Sequence, residues 1–171
     1  MPNGEAIFGV FDGHGGKEVA LFVEKKFVET FKKLSEYKSG DYENALKKCF
    51  ITLDQMMNSE TSKDPITAYS MTAGCTACVV LITKDSIYCA NSGDSRCVLA
   101  RGTKAVEMSE DHKPDNDGEL KRIEAAGGFV EDGRVRGILS LSRALGDLEY
   151  KLNKKVSVEA QMITCVPEIT K

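Results

Sequence analysis

The sequence predicts an α+β fold in which helices pack on an antiparallel sheet. Three observations predict it. The chain opens on one short apolar run of strand-forming residues, continues with two amphipathic helical stripes, and then carries a series of short strand-like runs joined by brief turns. This order is not the alternating βαβαβ pattern of a parallel sheet.

The elements follow in order. Ala6-Ile7-Phe8-Gly9-Val10-Phe11 reads as a buried strand. It stops at Asp12-Gly13-His14-Gly15-Gly16, a turn with too many glycines for a regular element. From Lys17, apolar residues recur at Val19, Phe22, Val23, Phe27, Phe31 and Leu34, the three/four spacing of an amphipathic helix. Ser39-Gly40 breaks that helix and Asp41 is placed to cap a second one. Its stripe is Leu46, Cys49, Phe50, Leu53, Met56 and Met57, and both stripes read as core packing. Residues 58–71 are polar, contain Pro65 and read as a loop. Strands are expected over 75–83, 86–91 and 96–101, with a shorter one over 104–108. A helix is expected over 118–126, ended by Gly127-Gly128. Short extended pieces follow near 129–130, 134–135 and 138–141, and a last strand over 162–166, closed by Pro167.

The bulk numbers bound the function classes. A chain of 171 residues, 42% hydrophobic and 29% charged, has the size and composition of one ordinary globular domain. The net charge is −3 and no basic stripe is present, which argues against nucleic-acid binding. Lys25, Lys26, Lys32 and Lys33 fall on a helix surface. No stretch approaches the roughly 20 apolar residues of a membrane helix, and no basic-then-apolar leader opens the chain. The expected location is the cytosol or nucleus. The six cysteines read as reduced, buried small hydrophobes. Cys75 and Cys78 form a CxxC pair inside a strand, where residues three apart face opposite ways, so joint zinc ligation is not expected.

The chemistry lies in the turns. Asp12 ends a strand and has glycines beside it that let the backbone approach a ligand. A carboxylate with an accessible Gly13 carbonyl suits a hard cation such as Mg²⁺ or Mn²⁺. His14 adds a group that exchanges a proton near neutral pH. By itself the turn equally fits an aspartate accepting backbone hydrogen bonds. Asn91-Ser92-Gly93-Asp94-Ser95-Arg96 repeats the theme, and its plain reading is a turn in which Asp94 pairs with Arg96. Arg143-Ala144-Leu145-Gly146-Asp147 is a third acidic turn, whose plain reading is a solvated carboxylate. Three strand-end aspartates beside glycines suggest convergence on one edge of a sheet.

Five motifs in order carry a resemblance. Val10-Phe11-Asp12-Gly13-His14-Gly15-Gly16, Ala73-Gly74-Cys75-Thr76-Ala77, Ala90-Asn91-Ser92-Gly93-Asp94-Ser95-Arg96, Glu110-Asp111-His112-Lys113-Pro114 and Ser142-Arg143-Ala144-Leu145-Gly146-Asp147 resemble the type 2C metal-dependent serine/threonine protein phosphatases. The resemblance implies a four-layer sandwich of antiparallel β-sheets flanked by helices. It implies two Mg²⁺ or Mn²⁺ ions bridged by Asp12, with the Gly13 carbonyl as a further ligand. His14 would be the general acid, and Asp94 and Asp147 would hold or border a third ion. The substrates would be phosphorylated proteins, attacked by a metal-activated water. Residues of about 113–140 match a flap beside the site, where Arg134 and Arg136 read equally well as solvated charges.

The chain also departs from the family. The strand that carries a phosphate-gripping arginine and an acidic pair is not matched, since only eleven residues precede Asp12. Two later aspartates of the family's metal site are unmatched, and Asp132-Gly133 falls inside the flap segment. The sequence therefore reads as one partial catalytic domain over 1–171, expected to be inactive or weak in isolation and prone to associate through open sheet edges. Oligomeric state is open at this level. A non-catalytic module that keeps the phosphatase fold, for binding or regulation, is the competing reading.

Overall fold

The computed structural model describes residues 4–58 and 66–171. Strand β1 (Ala6–Val10) leads through a bend into the two-residue strand β2 (Gly13–His14), so part of the glycine-rich turn is a strand after all. Helix α1 (Glu18–Lys33) buries Val19, Val23, Phe27 and Phe31, a four-residue repeat that lays one stripe on the core. Lys32 and Lys33 in its last turn complement the helix dipole. A single turn, α2 (Ser35–Lys38), precedes α3 (Tyr42–Met57). Asp41 caps α3 as expected, accepting from the Asn44 N–H at 3.3 Å.

The segment 58–71 is not all loop: Ile66–Tyr69 forms a helical turn, α4, while 59–65 lie outside the described residues. Then come β3 (Gly74–Cys75), β4 (Ala77–Ile82), β5 (Ile87–Ser92), β6 (Val98–Arg101), β7 (Lys104–Glu107), α5 (Asp117–Ala125), β8 (Val130–Glu131), β9 (Arg134–Val135), β10 (Leu145–Gly146) and β11 (Glu168–Thr170). A four-stranded antiparallel sheet has the order β1-β4-β5-β11, and a three-stranded one the order β10-β3-β2.

Helices α1 and α3 cover one face of the larger sheet, with Phe31, Phe50, Leu46 and Leu53 fully buried beneath Val79 and Leu81. Truncating one such side chain to Ala costs about 2–5 kcal/mol, so this layer holds the frame of the site. The hairpin β6–β7 packs Leu99 and Val106 on the other face, against Cys78 and Cys89. A second core of Ile123, Val135, Leu141, Tyr150 and Ile163 joins α5 and the β8–β9 hairpin to the segments on either side of Asp147. The α+β, antiparallel class is as the sequence predicts. Cys75 and Cys78 do face opposite cores, and all six cysteines are free.

Two strand expectations need correction. β1 is not buried: Phe8 and Val10 are 63% and 62% exposed, because the β6–β7 hairpin covers β4 and β5 on that face and only Ile7, on the other face, packs against the main core. The apolar run 162–166 is buried but forms no strand. Its backbone bonds singly instead, as when the Thr164 carbonyl accepts the Ala144 N–H at 3.0 Å, and the ladder starts only beyond Pro167 as β11. Burial alone does not demand a ladder if each polar group finds some partner.

Candidate active site

The candidate site stands where the two sheets meet. The chain leaves the larger sheet after Val10 and enters the smaller one at Gly13; on the facing strand the same change falls at Thr76, between β3 and β4. Asp12 sits at this joint. Its carbonyl accepts the Thr76 N–H at 2.9 Å and its N–H donates to Thr76 Oγ1 at 3.2 Å. Thr76 Oγ1 also bonds Ser95 Oγ at 2.7 Å, tying the joint to the Gly93–Asp94 turn. The backbone of Asp12 is thus fixed while the residue itself is exposed. Its carboxylate forms no hydrogen bond or ion pair among the described residues.

His14 is partly buried. Its Nε2 meets Asp147 Oδ2 at 2.6 Å across a sequence separation of 133 residues. The Asp147 side chain is 4% exposed, that of His14 26%. Gly74 lies beneath the pair: a Cβ there would overlap Asp147 Oδ2 and stand 2.7 Å from His14 Nε2. Only glycine leaves room for this contact. Asp147 is not the solvated strand end of the plain reading. It sits at φ 48° directly after Gly146 at φ 79°, a tight left-handed turn.

The Gly93–Asp94 turn is held from another side. Buried His112 accepts the Gly93 N–H on Nδ1 at 3.2 Å, and its Nε2 faces Glu168 Oε2 at 3.3 Å. Burial pulls the His112 pKa below the ordinary histidine value, which favours the neutral ring that this acceptor role requires. Asp94 does not pair with Arg96. Arg96 reaches Asp111 instead, through two bonds of 3.0 Å, and Asp94 is ion-paired with Lys113.

Glu119 anchors the approach to Asp147. It is 5% exposed and binds Arg143 (2.7 Å) and Arg122 (2.7 Å), and it accepts from Ser142 Oγ. Burial opposes its charge, but the Arg143 hydrogen bond, the Arg122 charge and the Ser142 hydroxyl outweigh it and hold the carboxyl at about 2. Arg134 and Arg136 are exposed, and Arg136 rests over the Tyr150 ring at 5.5 Å.

The structure therefore brings His14 and Asp147 together, leaves Asp12 and Gly13 exposed, and holds Asp94 half-buried against Lys113. Among the described residues no group of three or more His, Cys, Asp or Glu side chains is arranged to hold a metal ion, so the three aspartates do not form one three-carboxylate set. The donors that are present suit a hard cation in kind. Asp12 offers an unpaired carboxylate beside a glycine carbonyl, and Mg²⁺ is often held by one or two carboxylates with water in its remaining positions. The fit is that of a partial site. A cleft of about 670 Å³ lined by Lys84, Arg101 and Lys171 lies at the far end of β4 and takes no part.

Sequence reasoning missed Gly74's steric role, Lys113, and the buried pair Asp54–Lys151. Asp54 had a visible signal. It stands on the apolar stripe of α3, four residues after Phe50 and three before Met57, where a carboxylate is out of place. Among the described residues no helix is long and apolar enough to cross a membrane.

Comparisons with known proteins agree with this architecture. The family model described as Protein phosphatase 2C matches residues 2–171. "Probable protein phosphatase 2C 2" of Paramecium tetraurelia is 51% identical, covering 97% of this chain and 57% of that protein. "Protein phosphatase 2C homolog 2" of Aspergillus fumigatus is 45% identical over 96% of this chain and 37% of its own length. The chain thus spans a little over half of the Paramecium relatives it matches, 57%. Among solved structures, a phosphatase from a pathogenic strain of Toxoplasma gondii superposes with a TM-score of 0.81 at 26% identity, covering 98% of this chain and 64% of that one. A sex-determining protein of C. elegans gives 0.76 at 30% identity, covering 97% and 39%.

Proposed function

The chain belongs to the protein phosphatase 2C family, and from that premise we propose that its site serves hydrolysis of phosphoserine and phosphothreonine esters in proteins, with Mg²⁺ or Mn²⁺. The observation that carries the proposal is the His14–Asp147 pair at 2.6 Å beside the exposed carboxylate of Asp12.

Water adds to phosphorus as the P–O bond to the serine or threonine oxygen breaks; one water proton stays on the phosphate and the other goes to solvent, from which the histidine is later reprotonated. That oxygen leaves as an alkoxide unless it receives a proton. His14 supplies it. Asp147 accepts from Nε2, which fixes the ring and leaves Nδ1 as the nitrogen that exchanges a proton with the substrate oxygen. Asp147 also stays beside the ring as its charge changes, so the histidine need not reorient. Asp12 and the Gly13 carbonyl would hold the cation on the exposed edge, with Asp94 as a further oxygen donor if Lys113 releases it. When bound, such a cation lowers the pKa of a coordinated water and neutralises phosphoryl oxygens. No covalent enzyme intermediate is required, and the buried thiols Cys49, Cys75 and Cys165 have pKa values pushed far up by burial, so they are poor nucleophiles.

The test is Mn²⁺-dependent release of phosphate from a phosphothreonine peptide by this chain, beside Asp12→Ala and His14→Ala. Turnover that requires the metal and both side chains supports the proposal. A folded chain with no turnover would fit either a partial catalytic domain or the competing non-catalytic module, for which the lack of a three-donor set among the described residues is the specific support.

A further inference from the structure

Asp54 is a carboxylate on the buried face of α3, and its partner Lys151 is equally enclosed; their side chains are 7% and 5% exposed. Enclosing two charges costs more than their attraction commonly returns, so a lone buried ion pair is a weak reason for stability. Its hydrogen bonds say what else it does. Asp54 Oδ1 accepts the Gly146 N–H at 2.9 Å and Lys151 Nζ at 2.7 Å. Lys151 Nζ also donates to the Ala144 carbonyl at 2.8 Å. Both backbone contacts fall on the three residues immediately before Asp147.

That turn needs holding. Asp147 is a non-glycine residue at φ 48°, a conformation that persists only where the surroundings impose it. From the strand side, the Ala73 carbonyl accepts the Asp147 N–H at 2.9 Å and would stand 2.5 Å from any Cβ on Gly146. From the helix side the constraint is Asp54 with Lys151. The turn is clamped between α3 and β3, and its exit carries the carboxylate that grips His14.

We propose that Asp54 and Lys151 are positioning residues: through Gly146 and Ala144 they hold the left-handed turn that keeps Asp147 on His14 Nε2. The inference rests on the reading that His14 handles the proton. The pair touches neither substrate nor cation and acts only through the turn.

The test uses ring ¹⁵N NMR of the whole chain, which has only two histidines. His14→Ala assigns the signals, and His112 serves as the internal standard. Asp54→Leu/Lys151→Met removes both charges and leaves the Gly146 N–H without an acceptor. Asp54→Asn/Lys151→Met removes the charges but restores the acceptor. The expected result is loss of the protected Nε2 proton of His14 in the Leu/Met chain, with His112 unchanged and recovery in the Asn/Met chain. Where the chain turns over, kcat should fall about 10- to 100-fold in the Leu/Met variant at unchanged KM, the size of a misplaced proton donor. If the Leu/Met chain does not fold, Asp54→Ser/Lys151→Met replaces it, the serine being too short to reach Gly146. A folded variant that loses thermal stability while the His14 signal stays intact would overturn the inference. A wild-type chain with the His14 signature but no turnover would bear on the phosphatase reading alone and leave the positioning role standing.

Discussion

The two ends of the Asp12-Gly13-His14 turn are built on opposite plans. At the His14 end the supporting contacts are buried: the ring's Nε2 on Asp147, Asp147 over Gly74, the turn on Asp54 and Ala73, with only Nδ1 left open to a substrate. At the Asp12 end only the backbone is fixed, and the carboxylate faces water. The difference follows the chemistry each end would do. A proton donor works when its geometry is set in advance, and hydrogen bonds in a dry setting supply that. A hard cation carries water with it and needs an open approach, so its first carboxylate is left free.

This contrast says that the enclosed end should be the more fragile. Glu119→Ala, which strips Arg122 and Arg143 of their common partner, Arg143 standing four residues before Asp147, should cost about 3–5 kcal/mol, read by urea denaturation at pH 7. The pH dependence has a definite sign. The Glu119 carboxyl is lowered from 4.5 to about 2, so its contribution is complete above pH 4.5 and disappears as the pH falls through about 2. The Ala variant should therefore differ most from wild type at neutral pH and converge with it in strong acid. A constant gap down to pH 2 would mean that the buried network is not what Glu119 supplies.

Gly74→Ala comes next. A methyl group placed between Asp147 and His14 should force the pair apart, lowering turnover by about 100-fold or more. Overpacking should also reduce stability by about 1–3 kcal/mol. Phosphate-release kinetics with thermal melts separate the two effects. Retained turnover would mean that the pair is incidental.

Smaller effects belong to the open end. Lys113→Met releases Asp94 and should tighten Mn²⁺ binding up to about fivefold by calorimetry, since a partly exposed pair is worth at most about 1 kcal/mol. Arg96→Ala should leave the same affinity unchanged, because Arg96 belongs to Asp111. If Arg96→Ala mimics Lys113→Met, the pairing of this turn is other than described above.

By itself the sequence determined the three longer helices α1, α3 and α5, the antiparallel class and the glycine-flanked acidic turns. These depend on local matters: the four-residue repeat of α1, the Asp41 cap, the glycines that only a turn or a close approach explains. It also carried enough ordered motifs to indicate the family. What it left open was which acidic turn meets which partner. Asp94 with Arg96, two residues apart, was the local guess; the structure gave Arg96 to Asp111 and Asp94 to Lys113. Asp147 looked like a free strand end, yet it is the buried partner of a histidine 133 residues earlier. Such pairings cannot be read from spacing, because no periodicity links positions on different elements. They are decided when the core beneath α1 and α3 closes, when β10 aligns against β3, and when Gly74 leaves the one gap in which His14 and Asp147 can touch.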